Sequence, residues 1–554
     1  MKKTFISLAV ALMATVMNAQ TWTGDAKWSK SVTTGDPLSS MKIGADGSVY
    51  ITGDYDATTA FGEITLTNDD ELPAGYVAKY NADGSEAWAI GFMGDADIVA
   101  IDVDAAGNAY VAVTITDEVV FSGTDGQTNT VTSGDELHNA LLIAKIDKDG
   151  VVLTTKVIAS ETNQEIAEQT IDWGDGPEPM YGGWDPIFVQ ANKLKVVDDK
   201  VYVSVSYKGD VKVDNIDWKG SYVNVWDMMY EDNRSAGILT VDASDLGNAA
   251  SVLNVQMTGV VDYAQYFPEG LNFAVANGHV YAGLFGFGNL TITANNSAKD
   301  LEFESDGEGN NEHGFLLVNI PTTVDPLANT DPFSVTRYHA AAHERLNNFY
   351  NVSKMEVQDG NIYIAGVFNG ELPFNTAKTS VGNCDMFFVS FSENLNPAVP
   401  FNWAVTSGYD EGTTSNSQEA VSCMIVNNGK VFAAGVAVQV QKDEDGETKV
   451  EPLTYLEIGE NGATQQIDGP LFIGADDNHA GLTAVLTDNS KGSNANIGTT
   501  PAYQIAVYVS PVVTSIKSVE PAPATADRIY NLNGQQVNQP QKGVYIMGGK
   551  KYVK

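Results

Sequence analysis

The sequence predicts an all-β fold, a β-propeller of seven four-stranded blades, and three observations predict it. First, one short phrase recurs six times: a Gly or Asp turn, an apolar residue, Tyr or Phe, then a strand of small residues. The copies are GSVYITG with Tyr50, GNAYVAV with Tyr110, DKVYVSV with Tyr202, GHVYAGL with Tyr281, GNIYIAG with Tyr363 and GKVFAAG with Phe432. Second, the copies lie roughly 60 to 90 residues apart, the scale of one blade with insertions. Third, each copy has the same neighbours, which supply the other strands of a four-stranded unit.

In order along each unit, an alternating strand comes first, as around Ile43 in MKIGADG and Ile101 in VAIDVDAAG. A tight Asp/Asn-Gly turn then leads into the Tyr strand, the chemistry that a two-stranded hairpin requires. A third, apolar strand follows: GYVAKYNADG, LLIAKIDKDG, AGILTVDAS, HGFLLVNIP, MFFVSFSEN and TYLEIGENG. The fourth carries Trp88 in EAWAIGF and Trp403 in FNWAVTS. Near the start, GDAKWSKSVTTGD with Trp28 reads as an isolated fourth strand. Its partners would be LTAVLTD and YQIAVYVS between His479 and Pro511, a degenerate seventh blade closed by the N-terminal strand. Six blades is the alternative. The expected domains are a signal peptide over 1–19, the propeller over 20–513, a linker over 514–527 and a short C-terminal β tail over 528–554.

Composition agrees with a large folded core. Of 554 residues, 43% are apolar and 18% charged, which is not the balance of a disordered chain. The net charge of −40 repels phosphate backbones and anionic lipid, so no nucleic-acid partner is expected. MKKTFISLAVALMATVMNAQ has the basic start, short apolar core and small-residue end of a secretory leader. No other stretch is long enough for a membrane helix, so export without a transmembrane segment is expected. The only cysteines, Cys384 and Cys423, fall on separate blades and are expected as buried thiols.

DGSVYITG and GYVAKYNADGSEAW resemble the bacterial seven-bladed β-propeller repeat, whose blades carry a G-N-V-Y-V-T-G strand and a later F-V-A-K-L-N-x-D-G-x-x-W segment. The match is closest in the first two units, and the resemblance implies a fold and no catalytic residues. At the other end, IYNLNGQQV, KGVYIMGGK and KYVK resemble the closing motifs of the type A C-terminal sorting domain of type IX secretion. That resemblance implies a secreted or surface protein of a Gram-negative cell, with outer-membrane attachment through the tail.

For a binding site, loops matter more than strands. The turns joining strands one to two and three to four are uniformly tight, whereas the insertions 159–185, 207–235, 286–313 and 438–451 all fall in the other set. One face is therefore expected to be plain and the other elaborated. Two insertions are rich in aromatics. EQTIDWGDGPEPMYGGWDP offers Trp173, Tyr181 and Trp184, and NIDWKGSYVNVWDMMYEDN offers Trp218, Tyr222, Trp226 and Tyr230, both among carboxylates. Flat rings beside carboxylates suit a sugar, whose C–H faces stack while its hydroxyls are hydrogen-bonded. Trp173, Tyr181, Trp184, Trp218, Tyr222 and Trp226 are thus the candidate ligand-binding residues; packing of the loops onto the propeller is the competing role.

Enzyme signatures are sparse: there is no G-x-S-x-G elbow, phosphate loop or dinucleotide turn. His339 and His343 have a zinc-like spacing without the following Glu, and Asp147–Gly150 and Asp443–Gly446 resemble half of a calcium loop. Neither completes a metal set, and no cofactor is expected. The expected function is non-catalytic binding of a polysaccharide, glycoprotein or surface protein. The alternatives are a glycosidase or lyase using paired carboxylates, with Asp175 and Asp227 as the pair, and a structural surface protein.

Overall fold

The computed structural model describes residues 27–553 apart from connecting segments, the longest being 162–169, 180–186, 258–270, 304–310, 324–330, 408–417, 489–501, 510–528 and 532–543; most side chains are described as far as Ala433. The chain divides into two compact units, Met1–Ser510 and Pro511–Lys554. The expected leader, 1–19, and linker, 514–527, lie outside the described residues.

Both units are all-β, with no helix among the described residues. The first is propeller-like, built from repeated four-stranded antiparallel sheets. Repeat one consists of Ser40–Ile43, Val49–Tyr55, Ala74–Tyr80 and the first half of Glu86–Val103. The second half of that long strand opens repeat two, which continues with Ala109–Ser122, Asn139–Ile146 and Val152–Ile158. Repeat three is Phe188–Val197, Lys200–Lys208, Ser235–Asp242 and Ala250–Met257. Repeat four is Asn272–Ala276, His279–Phe287, Asn311–Pro321 and Ser334–His343. Repeat five is Tyr350–Gln358, Asn361–Phe368, Asp385–Ser392 and Trp403–Ser407. Repeat six is Gln418–Asn427, Lys430–Val438, Thr454–Ile458 and Thr464–Ile467. Beyond it, Phe472–Ala475, Leu482–Asp488 and Ala502–Val509 pair in order, and Ala502–Val509 then pairs antiparallel with the N-terminal strand Trp28–Thr33. In the second unit, Ile529–Asn531, Val544–Met547 and Lys550–Val553 form a three-stranded sheet.

The core lies between successive sheets. One cluster joins Tyr50, Trp88 and Ile90 of repeat one to Val111, Leu142 and Ile146 of repeat two, and equivalent clusters join each later pair as far as repeats five and six. The recurrent Tyr belongs to these seams. Tyr50 stands in register with Lys79, and the Lys79 ammonium lies 5.2 Å from the centre of the Tyr50 ring. Both then reach into the next repeat: Tyr50 Oη donates to Gly107 O at 2.9 Å, and Lys79 Nζ to Lys148 O at 2.8 Å. Tyr110 and Lys145 repeat the arrangement, both donating to Ala243 O at 2.8 Å. In later repeats the residue opposite the aromatic is Thr240, Asn319, Ser390 or Glu457, so the lysine of the motif is confined to the first two.

Tryptophan on a fourth strand has a similar use. Trp88 Nε1 donates to Lys148 O at 3.1 Å, and its ring covers Gly150 in the turn of the next repeat. A Cβ at Gly150 would meet the Trp88 ring at 2.8 Å, and its φ of +90° also favours glycine. Trp28 stands over Gly84 of repeat one in the same way, with a Cβ there 2.7 Å from its ring, and lies 5.7 Å from Tyr80. The N-terminal strand therefore packs on repeat one as a preceding fourth strand would.

The insertions depart from expectation. Several were expected to elaborate one face, yet in repeats one, two and four the insertion after the second strand forms a hairpin that pairs along the outer edge of the preceding sheet. Thr58–Phe61 and Ile64–Thr67 of repeat one extend the N-terminal strand. The far end of Ala109–Ser122, with Thr128–Thr132, extends the fourth strand of repeat one. Asn289–Ala294 and Ser297–Glu302 of repeat four extend Ala250–Met257 of repeat three. Val211–Val213 and Ile216–Trp218 are tied to the fourth strand of repeat two through Lys156 Nζ and Asp214 Oδ2 at 2.7 Å. An uncovered outer strand would offer unpaired N–H and C=O groups to other chains, and these hairpins cover it.

Candidate functional site

The aromatic residues singled out in the sequence separate into two groups. Trp218 belongs to the core: it is 3% exposed, stacks on Tyr207 at 5.1 Å, and donates from Nε1 to Ser251 Oγ at 2.8 Å. Gly237 leaves room for its ring. As a ligand platform Trp218 is thus corrected to a packing residue, because its face and its N–H are both already used. Tyr222 lies on the strand Ser221–Val225, which pairs with Met229–Asn233, and its side chain is outside the described residues. Trp173, Tyr181, Trp184 and Trp226 lie outside them too, although Trp173 adjoins the hairpin of Thr170–Asp172 with Pro177–Pro179. The two hairpins pair with no other strand among the described residues, unlike those of repeats one, two and four that extend a neighbouring sheet.

Other sequence candidates resolve locally. His339 and His343 lie on the strand Ser334–His343, where four residues span about 13 Å, too far for one ion. Asp147 Oδ1 accepts the backbone N–H groups of Asp149 and Val151 at 2.9 Å each, so its turn is built as an Asx turn. Asp443, Asp175 and Asp227 lie outside the described residues, as does Cys384, whereas Cys423 is a buried thiol. Of the described acids, Asp97 is the one whose carboxyl is held above the usual range, by burial first and by Asp95 second.

The arrangement that sequence reading missed is a cavity of about 150 Å³ where the first strands of repeats one to six converge. Its polar lining includes Lys42, Asp102, Lys193, Lys195, Lys354 and Glu356. Asp102 is the pillar of one side, with its side chain 3% exposed. Lys42 Nζ lies 3.1 Å from Oδ1 and Lys195 Nζ 3.3 Å from Oδ2, and Val196 N–H donates to Oδ2 at 2.8 Å. Repeats one, two and three are thereby joined through one carboxylate. On the other side Lys193 Nζ donates to Met355 O at 2.6 Å and lies 4.0 Å from Glu356.

Backbone irregularity shapes this cavity. The ladder register shifts immediately before Ala100, Lys193, Lys354 and Cys423, each on a first strand and each lining the cavity. A bulge of this kind bends a strand and re-aims the side chains that follow it. Burial pushes the Lys193 ammonium down to about 8, only partly offset by Glu356, and pushes Lys354 down as well. The available signal was the placement of lysines on first strands, in MKI, KLK and SKME, in a chain with only 31 basic residues. Without knowing that those strands converge, the pattern looks like ordinary surface charge.

No family model matches the chain, and no curated protein matches it in sequence. Among solved structures it is similar to a GH43 endo-arabinanase from Bacillus licheniformis, at 12% identity over 66% of this chain and 95% of that one, with a TM-score of 0.25. It is similar also to a Synechocystis apocarotenoid oxygenase, at 9% identity over 75% and 71% of the two chains, with a TM-score of 0.30. A phage phi92 endosialidase matches at 10% identity over 93% and 73%, with a TM-score of 0.28. Likeness at this level carries no argument about chemistry.

Proposed function

We propose that the chain is an exported, non-catalytic seven-bladed β-propeller that binds a polysaccharide, glycoprotein or protein at the surface of a Gram-negative cell. The observation that carries this reading is the contrast among the insertions. Three of the hairpins extend a neighbouring sheet, whereas five pair only with themselves among the described residues, and the two of these that lie in the aromatic-rich insertions are Thr170–Asp172 with Pro177–Pro179 and Ser221–Val225 with Met229–Asn233. Those two segments carry Trp173, Tyr181, Trp184, Tyr222 and Trp226 in sequence. Rings presented on a rigid scaffold give stacking affinity at low entropic expense.

Seven blades and closure are supported by the pairing of Trp28–Thr33 with Ala502–Val509 and by the contacts of Phe472–Ala475 with both Gln418–Asn427 and Ser40–Ile43. The basic-then-apolar leader supports export, and the KGVYIMGGK and KYVK motifs support attachment through the tail. No helix among the described residues is long and apolar enough to cross a membrane.

Residues 20–554 applied to a glycan array test the reading. Specific signal that falls at least tenfold in a Trp184→Ala/Trp226→Ala double variant is the expected result. Undiminished signal in that variant overturns the assignment of these rings. A blank array, together with an empty pull-down from outer envelope, overturns the binding function itself.

A further inference from the structure

We propose that the central cavity is a second binding site, one that takes a small oxyanion: the carboxylate or phosphate group of a compact ligand. It lies on the first strands of the repeats rather than on the aromatic hairpins, so it stands or falls independently of the function proposed above.

Charge is the first argument. The chain carries 71 acidic residues against 31 basic ones, yet lysines outnumber carboxylates four to two in the cavity lining. Asp102 cannot balance this excess, since it is already held by Lys42, Lys195 and the Val196 N–H. Glu356 acts on both Lys193 and Lys354, Asp102 adds a weaker pull on Lys193, and the Cys423 thiol lies beside Lys354. Neutralisation is therefore incomplete, and both ammonium groups are depressed by burial. Burying charge without compensation is unfavourable unless a partner is supplied. An anion between the two would supply it.

Donor geometry is the second argument. An ammonium has three donors. Among the described residues, the hydrogen-bond partner of Lys193 is Met355 O at 2.6 Å, and Glu356 at 4.0 Å is too distant for a hydrogen bond. Register shifts stand directly before Lys193 and Lys354, the two lysines that Asp102 does not hold. Asn272 meanwhile donates to Ser353 O at 2.7 Å, fixing the backbone that carries Lys354. The cavity is thus braced at its backbone while, among the described residues, Lys193 and Lys354 keep donors for a ligand.

Size sets the ligand class. At about 150 Å³ the cavity matches the volume that holds a benzene molecule, which suits phosphate or a short carboxylic acid.

The test is calorimetric titration of residues 20–554 with inorganic phosphate and, separately, with lactate at fixed ionic strength. Saturable binding of either probe, weakened at least tenfold in both Lys354→Gln and Lys193→Gln, is expected. Phosphate alone identifies a phosphorylated ligand, lactate alone a carboxylate, and both an unselective oxyanion site. An anion beside Lys193 favours its charged form, so wild-type protein at pH 8.5 should also take up protons on binding, seen by repeating the titration in buffers of different ionisation enthalpy. That readout needs no variant and remains decisive if a substitution unfolds the protein. Absence of binding to both probes, binding undiminished in the folded variants, or binding without proton uptake at that pH overturns the proposal.

Discussion

At the scale of single residues, the recurrent tyrosine illustrates how a motif can be legible while its purpose is not. Its position in the strand was readable from GSVYITG and GNAYVAV, because alternation and the Gly turn fix the register. That its hydroxyl spans to the next repeat was not, since the acceptors Gly107 O and Ala243 O are backbone atoms far along the chain. Tyr50→Phe removes one such bond and should destabilise the protein by about 0.5–1.5 kcal/mol in urea unfolding. Lys193 makes a separate prediction. Its ammonium is lowered to about 8 from an ordinary 10.5, so between those values the unfolded chain holds a proton that the folded chain has released. Stability then rises with pH across that window. The tyrosines oppose this from pH 10 upward, because burial raises the hydroxyls of Tyr50, Tyr80 and Tyr110. Comparing denaturant midpoints at pH 7.5 and 9.5 should show a gain that Lys193→Met diminishes.

At the scale of elements, the strands were legible and the insertions were not. Period-two alternation and Asp-Gly turns are local signals, and the four-strand order followed from them. Whether a hairpin stands free or lies on an edge depends on a neighbour outside the local window, as Asn254 of repeat three opposite Thr293 of repeat four shows. Trp218 was misread for that reason: a Trp among carboxylates looks the same in sequence whether it faces a sugar or Tyr207. Trp218→Ala should cost about 3–5 kcal/mol of stability through the cavity it leaves. Gly237→Ala should cost about 1–3 kcal/mol, because the new methyl group meets the Trp218 ring. Thermal unfolding of both variants checks these values, and neither change should alter glycan binding by the folded protein.

At the scale of the whole molecule, the likeness of Trp28 to Trp88 was visible in sequence, and the structure pairs Trp28 with Val507 at nearly the opposite end of the first unit. Removal of residues 20–33 should therefore lower the melting temperature and raise the tendency to aggregate, since it uncovers Ala502–Val509 and the hairpin Thr58–Phe61 with Ile64–Thr67 together. Light scattering during a thermal ramp measures both effects. The same pairing governs the order of events when the chain folds. Of the described strands, the first must wait for one near the end of the first unit, and closing a loop of that length costs roughly 5 kcal/mol of chain entropy before the ladder returns any of it. Adjacent repeats can dock as they emerge, whereas this junction is made only after nearly all of the first unit has been translated. During that interval the leading strand is an unpaired β-segment, the form in which a chaperone would meet it.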